Sequence, residues 1–285
     1  ADAAMYRAKE LGKGQAFIYE SGLYESMTQQ VSMVNDLRRT VENHLLDFYI
    51  QGKYDLNGEL KGGEVLCRWI SGLHGVVSPA VFIPIAEEHK LDSAIGLQAL
   101  EAACDYISIM ESQQGDAIPL SVNISANQML DPEFPNQAMS ICMDNDVSPE
   151  FIELELTESV FIRDEKSALR ALNTLRDHGF RLSLDDFGSG FSSLSYLRSF
   201  QFEVVKVDKS LIQGIHQDSK ANALFNGLIA MLKSLQIDVV AEGVELESYL
   251  PFMEQADIQL MQGFYFDKPM PYDQFLARHT TEPNR

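Results

Sequence analysis

The residues of this chain with the clearest capacity for chemistry are two adjacent carboxylates closing an apolar run, Leu182-Ser183-Leu184-Asp185-Asp186-Phe187-Gly188-Ser189-Gly190. Side chains alternate along a strand, so both aspartates can serve one site only where the strand breaks into its loop. Other apolar runs carry polar residues at the same place. Glu64 shares a strand face with Leu66 and Arg68, Asn123 lies in Leu120–Ser125, and Glu155 lies in Glu153–Glu158. Lys206 and Asp208 close Val205–Asp208, Glu242 follows Val239-Val240-Ala241, and Gln262 follows Leu260-Met261. Gathered at one mouth, Glu64, Glu155, Asp185, Asp186 and Glu242 would repel one another and lose hydration, at a cost of about several kcal/mol per ion. Bound cations make such a cluster sensible, and a donor set of oxygens without Cys or His selects hard ions, Mg²⁺ or Mn²⁺. Each motif alone has a plainer reading. Asp-Asp-Phe-Gly can be a turn with a helix cap, Glu-Leu-Thr-Glu at 155–158 a capping box, and Lys206 a surface lysine. The histidines show no ligand pattern.

The elements that must position these groups alternate along the chain. Strand-like runs fall at 45–51, 64–70, 118–124, 151–157, 180–186, 203–208, 237–242 and 258–265, with helical segments at 79–89, 92–111, 164–178, 219–235 and 246–255. Repeated strand–helix units build a parallel sheet, and this many of them predict an α/β fold, a TIM-like (β/α)8 barrel. Runs 45–51 and 64–70 are joined by a short turn around Asn57-Gly58 with no helix between them, so they must be antiparallel and the barrel irregular at its start.

A chain of 285 residues with 45% hydrophobic content buries a large core, and its formal charge of −20 argues against a nucleic-acid polymer or an anionic membrane as partner. Cys67, Cys104 and Cys142 have neither metal-site nor disulfide-framework spacing, which points to a reducing, cytoplasmic setting. No run approaches membrane-spanning length and no signal peptide is present, so direct membrane contact is not expected of this segment. The chain opens in helical sequence at Ala1-Asp2, which reads as an excision from a longer, potentially membrane-anchored protein.

Taken together the motifs resemble the EAL domain, the phosphodiesterase family that linearises cyclic di-GMP, from about residue 33 to 280. Glu64-Val65-Leu66-Cys67-Arg68-Trp69 is similar to its Glu-Ala-Leu-x-Arg-Trp signature, and Pro79–Glu87 to its Pro-x-x-Phe-Ile-Pro-x-Ala-Glu segment. Ser121-x-Asn123-x-Ser125, Glu155-Leu-Thr-Glu158, Asp185-Asp186-Phe-Gly-x-Gly, Lys206-Val-Asp208, Ala241-Glu242-Gly-Val-Glu245 and Gln262-Gly-Phe264 continue the match. Residues 1–20, with Ala-Asp-x-Ala-x-Tyr-x-Ala-Lys, resemble the C-terminal tail of a GGDEF domain; 21–32 read as a linker and 281–285 as a tail.

The resemblance implies hydrolysis of cyclic di-GMP to linear pGpG with two Mg²⁺ or Mn²⁺ ions, in a homodimer formed through this domain. Glu64, Asn123, Glu155 and Asp185 would hold one ion, and Asp185, Asp186 and Glu242 the other. Lys206 would stay protonated and, with Glu242, act at the reacting centre. Arg68 would meet a phosphate oxygen, and Gln51, Leu66, Asp208, Glu245, Gln262 and Phe264 the rest of the substrate. Glu158 would anchor the Gly188–Ser193 loop through its backbone amides or Ser189, Ser192 and Ser193. Val65 in place of Ala and Gly52 in place of Pro depart from the family pattern on the substrate side. They leave two rivals: a receptor that binds cyclic di-GMP without cutting it, and, more distantly, a Mg²⁺-dependent barrel lyase.

Overall fold

A computed structural model of the chain describes residues 21–189, 197, 200 and 202–279. The GGDEF-like stretch 1–20, Gly190, Ser192, Ser193 and the tail 281–285 lie outside the described residues. The chain divides into two compact units, residues 1–47 with 68–91, and residues 48–67 with 92–285.

In the smaller unit the expected linker is one long helix, Ser21–Glu42. Trp69 is fully buried there, donates its indole N–H to Thr40 Oγ1 at 3.2 Å, and meets Phe82 edge-on at 5.9 Å. Ser71 Oγ donates to Asp36 Oδ2 at 2.6 Å. Pro79–Glu88 is helical from a proline in its first turn, where the missing N–H has no partner to lose.

The larger unit is the barrel. Its strands are β1 (Asp47–Tyr54), β2 (Leu60–Ser71), β4 (Leu120–Ile124), β5 (Ile152–Thr157), β6 (Arg181–Phe187), β7 (Val204–Val207), β8 (Asp238–Glu242) and β9 (Leu260–Gln262), with a short strand β10 (Met270–Pro271) beside β1; β3 (Gly75–Val77) pairs with the end of β2 in the smaller unit. From β2 through β4 to β9 neighbours pair in order and in parallel, and pairing of β1 with β2 closes the ring. β1 runs antiparallel to β9. The irregular start is therefore present, built on a turn in which Asp55 Oδ1 accepts the N–H groups of Asn57 and Glu59 at 2.8 and 2.9 Å.

Two boundaries differ from the sequence expectation. The helix expected to begin at Asp164 is Ser159–Asp177, kinked at Asp164 (φ −157°, ψ 91°), whose carboxylate caps the second half through Ser167 N–H at 3.1 Å. The helix expected over 246–255 is a 3₁₀ turn at Glu247–Tyr249 followed by Leu250–Gln255, because Pro251 fits only a helix's first turn. Outward-facing Leu154, Leu156, Leu182, Leu184, Val205, Val207, Val239 and Ala241 form a continuous core with the surrounding helices. The opposite face of each strand is left for the barrel interior.

Candidate active site

The interior face is polar because the sequence alternates that way. Gln51 and Lys53 share the inner face of β1, Glu64 lies on β2, Ser121 and Asn123 on β4, Glu153 and Glu155 on β5, Ser183 and Asp185 on β6, Lys206 on β7, Glu242 on β8 and Gln262 on β9. Strict alternation would turn Asp186 away from Asp185. Instead the pairing of β6 with β7 slips between Leu184 and Phe187, and Asp186 takes a left-handed φ of +56°. This bulge re-aims the side chain. Asp186 N–H donates to Asp185 Oδ1 at 2.8 Å, and Asp185, Asp186 and Glu242 each bring a carboxylate oxygen within 4.8 Å of the others. Gly188 follows at φ +94°, and a Cβ there would strike the Leu211 side chain at 2.1 Å.

Deeper in the barrel lies a layer of paired charges. Lys53 Nζ donates to Glu153 Oε1 at 2.9 Å and to Glu155 Oε1 at 2.8 Å. Lys206 Nζ donates to the other oxygen of Glu155 at 2.5 Å, and stands 2.8 Å from Glu242 Oε1 and 3.3 Å from both Glu64 Oε2 and Asp185 Oδ1. Lys206 is 1% exposed, so the surface-lysine reading is wrong: the carboxylates around it supply the partners a buried ammonium needs. Lys53 and Glu153 had not been singled out from the sequence. Glu153 shares the strand face of Glu155, whereas Lys53 lies past the expected end of its strand at 51.

The charges divide the site. Burial works against an ionised Glu155, but Lys206 and Lys53 outweigh it and hold its pKa down to about 2. Burial likewise pulls the Lys206 ammonium down, yet Asp185, Glu155, Glu242 and Glu64 keep it well above its ordinary value, so Lys206 is a fixed cation. Asp185 goes the other way. Burial raises it well above an ordinary aspartate, Lys206 opposes, and Glu242 and Glu155 push it further up. Asp186 and Glu242 are raised too, by burial first and then by neighbouring carboxylates, against the pull of Lys206. The corner of Asp185, Asp186 and Glu242 is thus short of positive charge, and a hard cation fits it on its donor chemistry. Asn123 Nδ2 donates to Glu64 Oε1 at 2.7 Å, which leaves the amide oxygen as a further donor to a cation.

Beside this corner opens a cavity of about 300 Å³ lined by Gln51, Leu66, Asp208, Glu245, Gln262 and Phe264, together with Glu64 and Glu242. Gln262 Nε2 donates to Glu64 Oε2 at 2.7 Å and to Gln51 Oε1 at 3.2 Å, while its own Oε1 is buried without a partner among the described residues. Phe264 is 54% exposed, with Lys268 Nζ over one face of its ring at 5.4 Å. Arg68, further along β2, belongs to the smaller unit. Glu158 occupies the N-cap position of the helix Ser159–Asp177 without a side-chain capping hydrogen bond, so the capping-box reading does not describe it.

Comparison with known proteins agrees with the fold and the motif order. The EAL domain model matches residues 34–269. MucR of Pseudomonas aeruginosa, a bifunctional diguanylate cyclase/cyclic di-GMP phosphodiesterase, is 33% identical over 278 residues, 97% of this chain and 41% of that protein. PdeR of Escherichia coli, a cyclic di-GMP phosphodiesterase, is 32% identical over 271 residues, 95% of this chain and 41% of that protein. The solved MucR phosphodiesterase in complex with c-di-GMP aligns with a TM-score of 0.80 at 32% identity, covering 86% of this chain and 100% of that one. This chain spans well under half the length of the curated relatives it matches.

Proposed function

We propose that this chain, which belongs to the EAL domain family, is a metal-dependent phosphodiesterase that hydrolyses cyclic di-GMP to linear pGpG. The observation that carries this reading is the corner of Asp185, Asp186 and Glu242, with ligand oxygens within 4.8 Å of one another. A fixed ammonium, Lys206, stands 2.8 Å from Glu242 and 3.3 Å from Asp185.

Asp185, Asp186 and Glu242 would hold one divalent ion, and Glu64, Asn123, Glu155 and again Asp185 the other. Mg²⁺ and Mn²⁺ suit these oxygen donors, whereas Ca²⁺ takes more ligands at longer distances and should inhibit. Ions held there would supply Lewis acidity, lowering the pKa of a bound water and offsetting negative charge on the departing oxygen. The chain's own groups do the rest. Lys206 holds its proton, so it donates hydrogen bonds and balances charge developing at phosphorus; it does not accept the proton of water. By its place in the family motif, Arg68 would be the guanidinium for a non-bridging phosphate oxygen. Gln51, Leu66, Asp208 and Glu245 line the side where guanine and ribose would lie. The Phe264 ring offers a stacking face for a base, and the unpartnered Gln262 Oε1 an acceptor for an N–H or O–H. The homodimer is part of the same reading and is tested by sedimentation of the purified chain.

The receptor reading draws on one observation: both oxygens of Glu155 are already held, by Lys53 and Lys206. Coordination by Glu155 requires one of them to share. Incubating the chain with cyclic di-GMP and Mg²⁺ or Mn²⁺, then resolving the products, separates the two. Formation of pGpG supports the phosphodiesterase; tight binding of unchanged nucleotide with either ion establishes the receptor.

A further inference from the structure

Next to the substrate cavity, β1 is held at three positions, Gln51, Gly52 and Tyr54, by one residue. Asp267 is 3% exposed. Its carboxylate accepts the Tyr54 hydroxyl at 2.7 Å and the Gly52 N–H at 3.3 Å to each oxygen. Its main-chain carbonyl accepts Gln51 Nε2 at 3.0 Å. Gln51 Oε1 in turn accepts from Gln262, so the amide of Gln51 is fixed at both ends.

Residue types at 52 and 54 make this possible. A proline at 52 would have no N–H to donate. A Cβ at 52 would come within 2.6 Å of the Tyr54 ring, which lies over Gly52 and stacks on Phe266 at 4.9 Å. The Tyr54 hydroxyl also stands 3.3 Å from His279 Nε2. Gly52, Tyr54 and Asp267 therefore form one unit: the glycine supplies the donor and the space, the tyrosine fills that space and supplies a second donor, and the aspartate takes both.

We propose that Asp267 is a positioning residue for substrate recognition: by tying Gly52 and Tyr54 to its carboxylate and Gln51 to its carbonyl, it fixes the Gln51 amide in the orientation that meets the nucleotide. The inference rests on the phosphodiesterase reading of the cavity. Gln51 makes one of the polar contacts there, and an amide free to rotate presents donor and acceptor interchangeably to a ligand that needs one of them. Losing the clamp weakens binding of substrate and transition state alike, which raises KM and leaves kcat in place.

The test uses the full chain, with kcat and KM for cyclic di-GMP, its equilibrium Kd in Ca²⁺, and Tm. Asp267→Ala should raise KM and Kd about tenfold with kcat within about twofold, and Tyr54→Phe about threefold, since one of the carboxylate's hydrogen bonds is removed. Asp267→Asn keeps one acceptor oxygen and should recover most of the loss; it and Tyr54→Phe carry the test if the alanine variant does not fold. In a Gln51→Ala background, Asp267→Ala should add nothing further, because the group it positions is gone. A purely structural role would lower Tm and leave the two effects additive, and that overturns the proposal, as does an unchanged KM. If the unmutated chain binds but never hydrolyses, the phosphodiesterase reading fails alone and Kd still decides the role of Asp267. If it neither binds nor hydrolyses cyclic di-GMP, both fall.

Discussion

Two parts of the barrel interior hold acidic side chains, and they treat charge in opposite ways. In the deep layer Glu153 and Glu155 are paired with Lys53 and Lys206, and Glu155 is held at a pKa of about 2. At the corner Asp185, Asp186 and Glu242 crowd together with all their pKa values raised. In the first, the protein's own ammonium groups balance the carboxylates. In the second they do not, and the single ammonium touching both parts is that of Lys206 among the described residues. Chemistry is expected where the protein's own charges fail to balance, not where acidic residues are most deeply buried.

The largest effect is expected at Lys206, where the two parts meet. Lys206→Met leaves Asp185, Glu242 and half of Glu155 without their counter-ion, so stability should fall by about 3–5 kcal/mol. Hydrolysis should fall by about 10³-fold or more as charge stabilisation is lost. Thermal melts beside turnover assays check both losses, and a stable, active variant would remove Lys206 from the centre of the site.

Glu242→Gln separates stability from function. At the corner it removes a repelling charge, so the metal-free protein should melt no lower than wild type, and higher at neutral pH. Turnover should nonetheless fall about 10³-fold, since a ligand and its charge are gone. The same substitution at Glu155, in the balanced layer, should lower the melting temperature. Equal destabilisation at both positions would erase the distinction.

Glu158→Ala probes support for the corner from outside it. Glu158 follows β5 and makes no side-chain capping bond to its helix; the role proposed for it is anchoring of the loop after β6. The variant should keep its fold and lose about 10–100-fold in Mg²⁺ affinity, the usual effect of removing a group that orients a ligand. Partial recovery at high Mg²⁺ follows from mass action. A Mg²⁺ titration of hydrolysis with identical half-saturation in both proteins would rule the role out.

The smallest effect is on pH. Ionising Asp185, Asp186 and Glu242 costs the folded state stability, because their folded pKa values lie above the unfolded values of 3.8 and 4.5. Metal-free protein should therefore lose stability as pH rises through the raised values. Glu155 has the opposite sign: its contribution is full above 4.5 and is lost as pH falls toward about 2. Melting temperature in chelator should peak in mild acid, by a few degrees over neutral pH. A saturating divalent ion should flatten the neutral limb; a limb unchanged by Mg²⁺ would mean that the corner holds no ion.

Much of this was legible in the sequence, for physical reasons. Strand-end carboxylates announce themselves because so many apolar runs end in one, which turns and helix caps do not explain together, and the paired aspartates required the strand break that the bulge at Asp186 supplies. The hairpin around Asn57-Gly58 fixed the antiparallel start. What stayed hidden depends on partners far apart along the chain. Lys53 lay beyond the expected end of its strand at 51, and its role exists only once β1 extends to Tyr54 and β5 lies across the interior. Asp267 meets Tyr54 and Gly52 at separations of 213 and 215 residues, with no local pattern to mark the pairing. Short elements such as β10 and Ala126–Met129 offer too few residues for a period to show.

A barrel mouth built around a cation-deficient corner should bind a divalent ion without nucleotide, which titration calorimetry with Mn²⁺ measures. Wild-type protein should bind Mn²⁺, Asp186→Asn and Glu242→Gln should each lose most of that binding, and Glu153→Gln, altered only in the balanced layer, should keep it. Binding that survives both corner substitutions, or that disappears with Glu153→Gln, would contradict a cation-deficient corner.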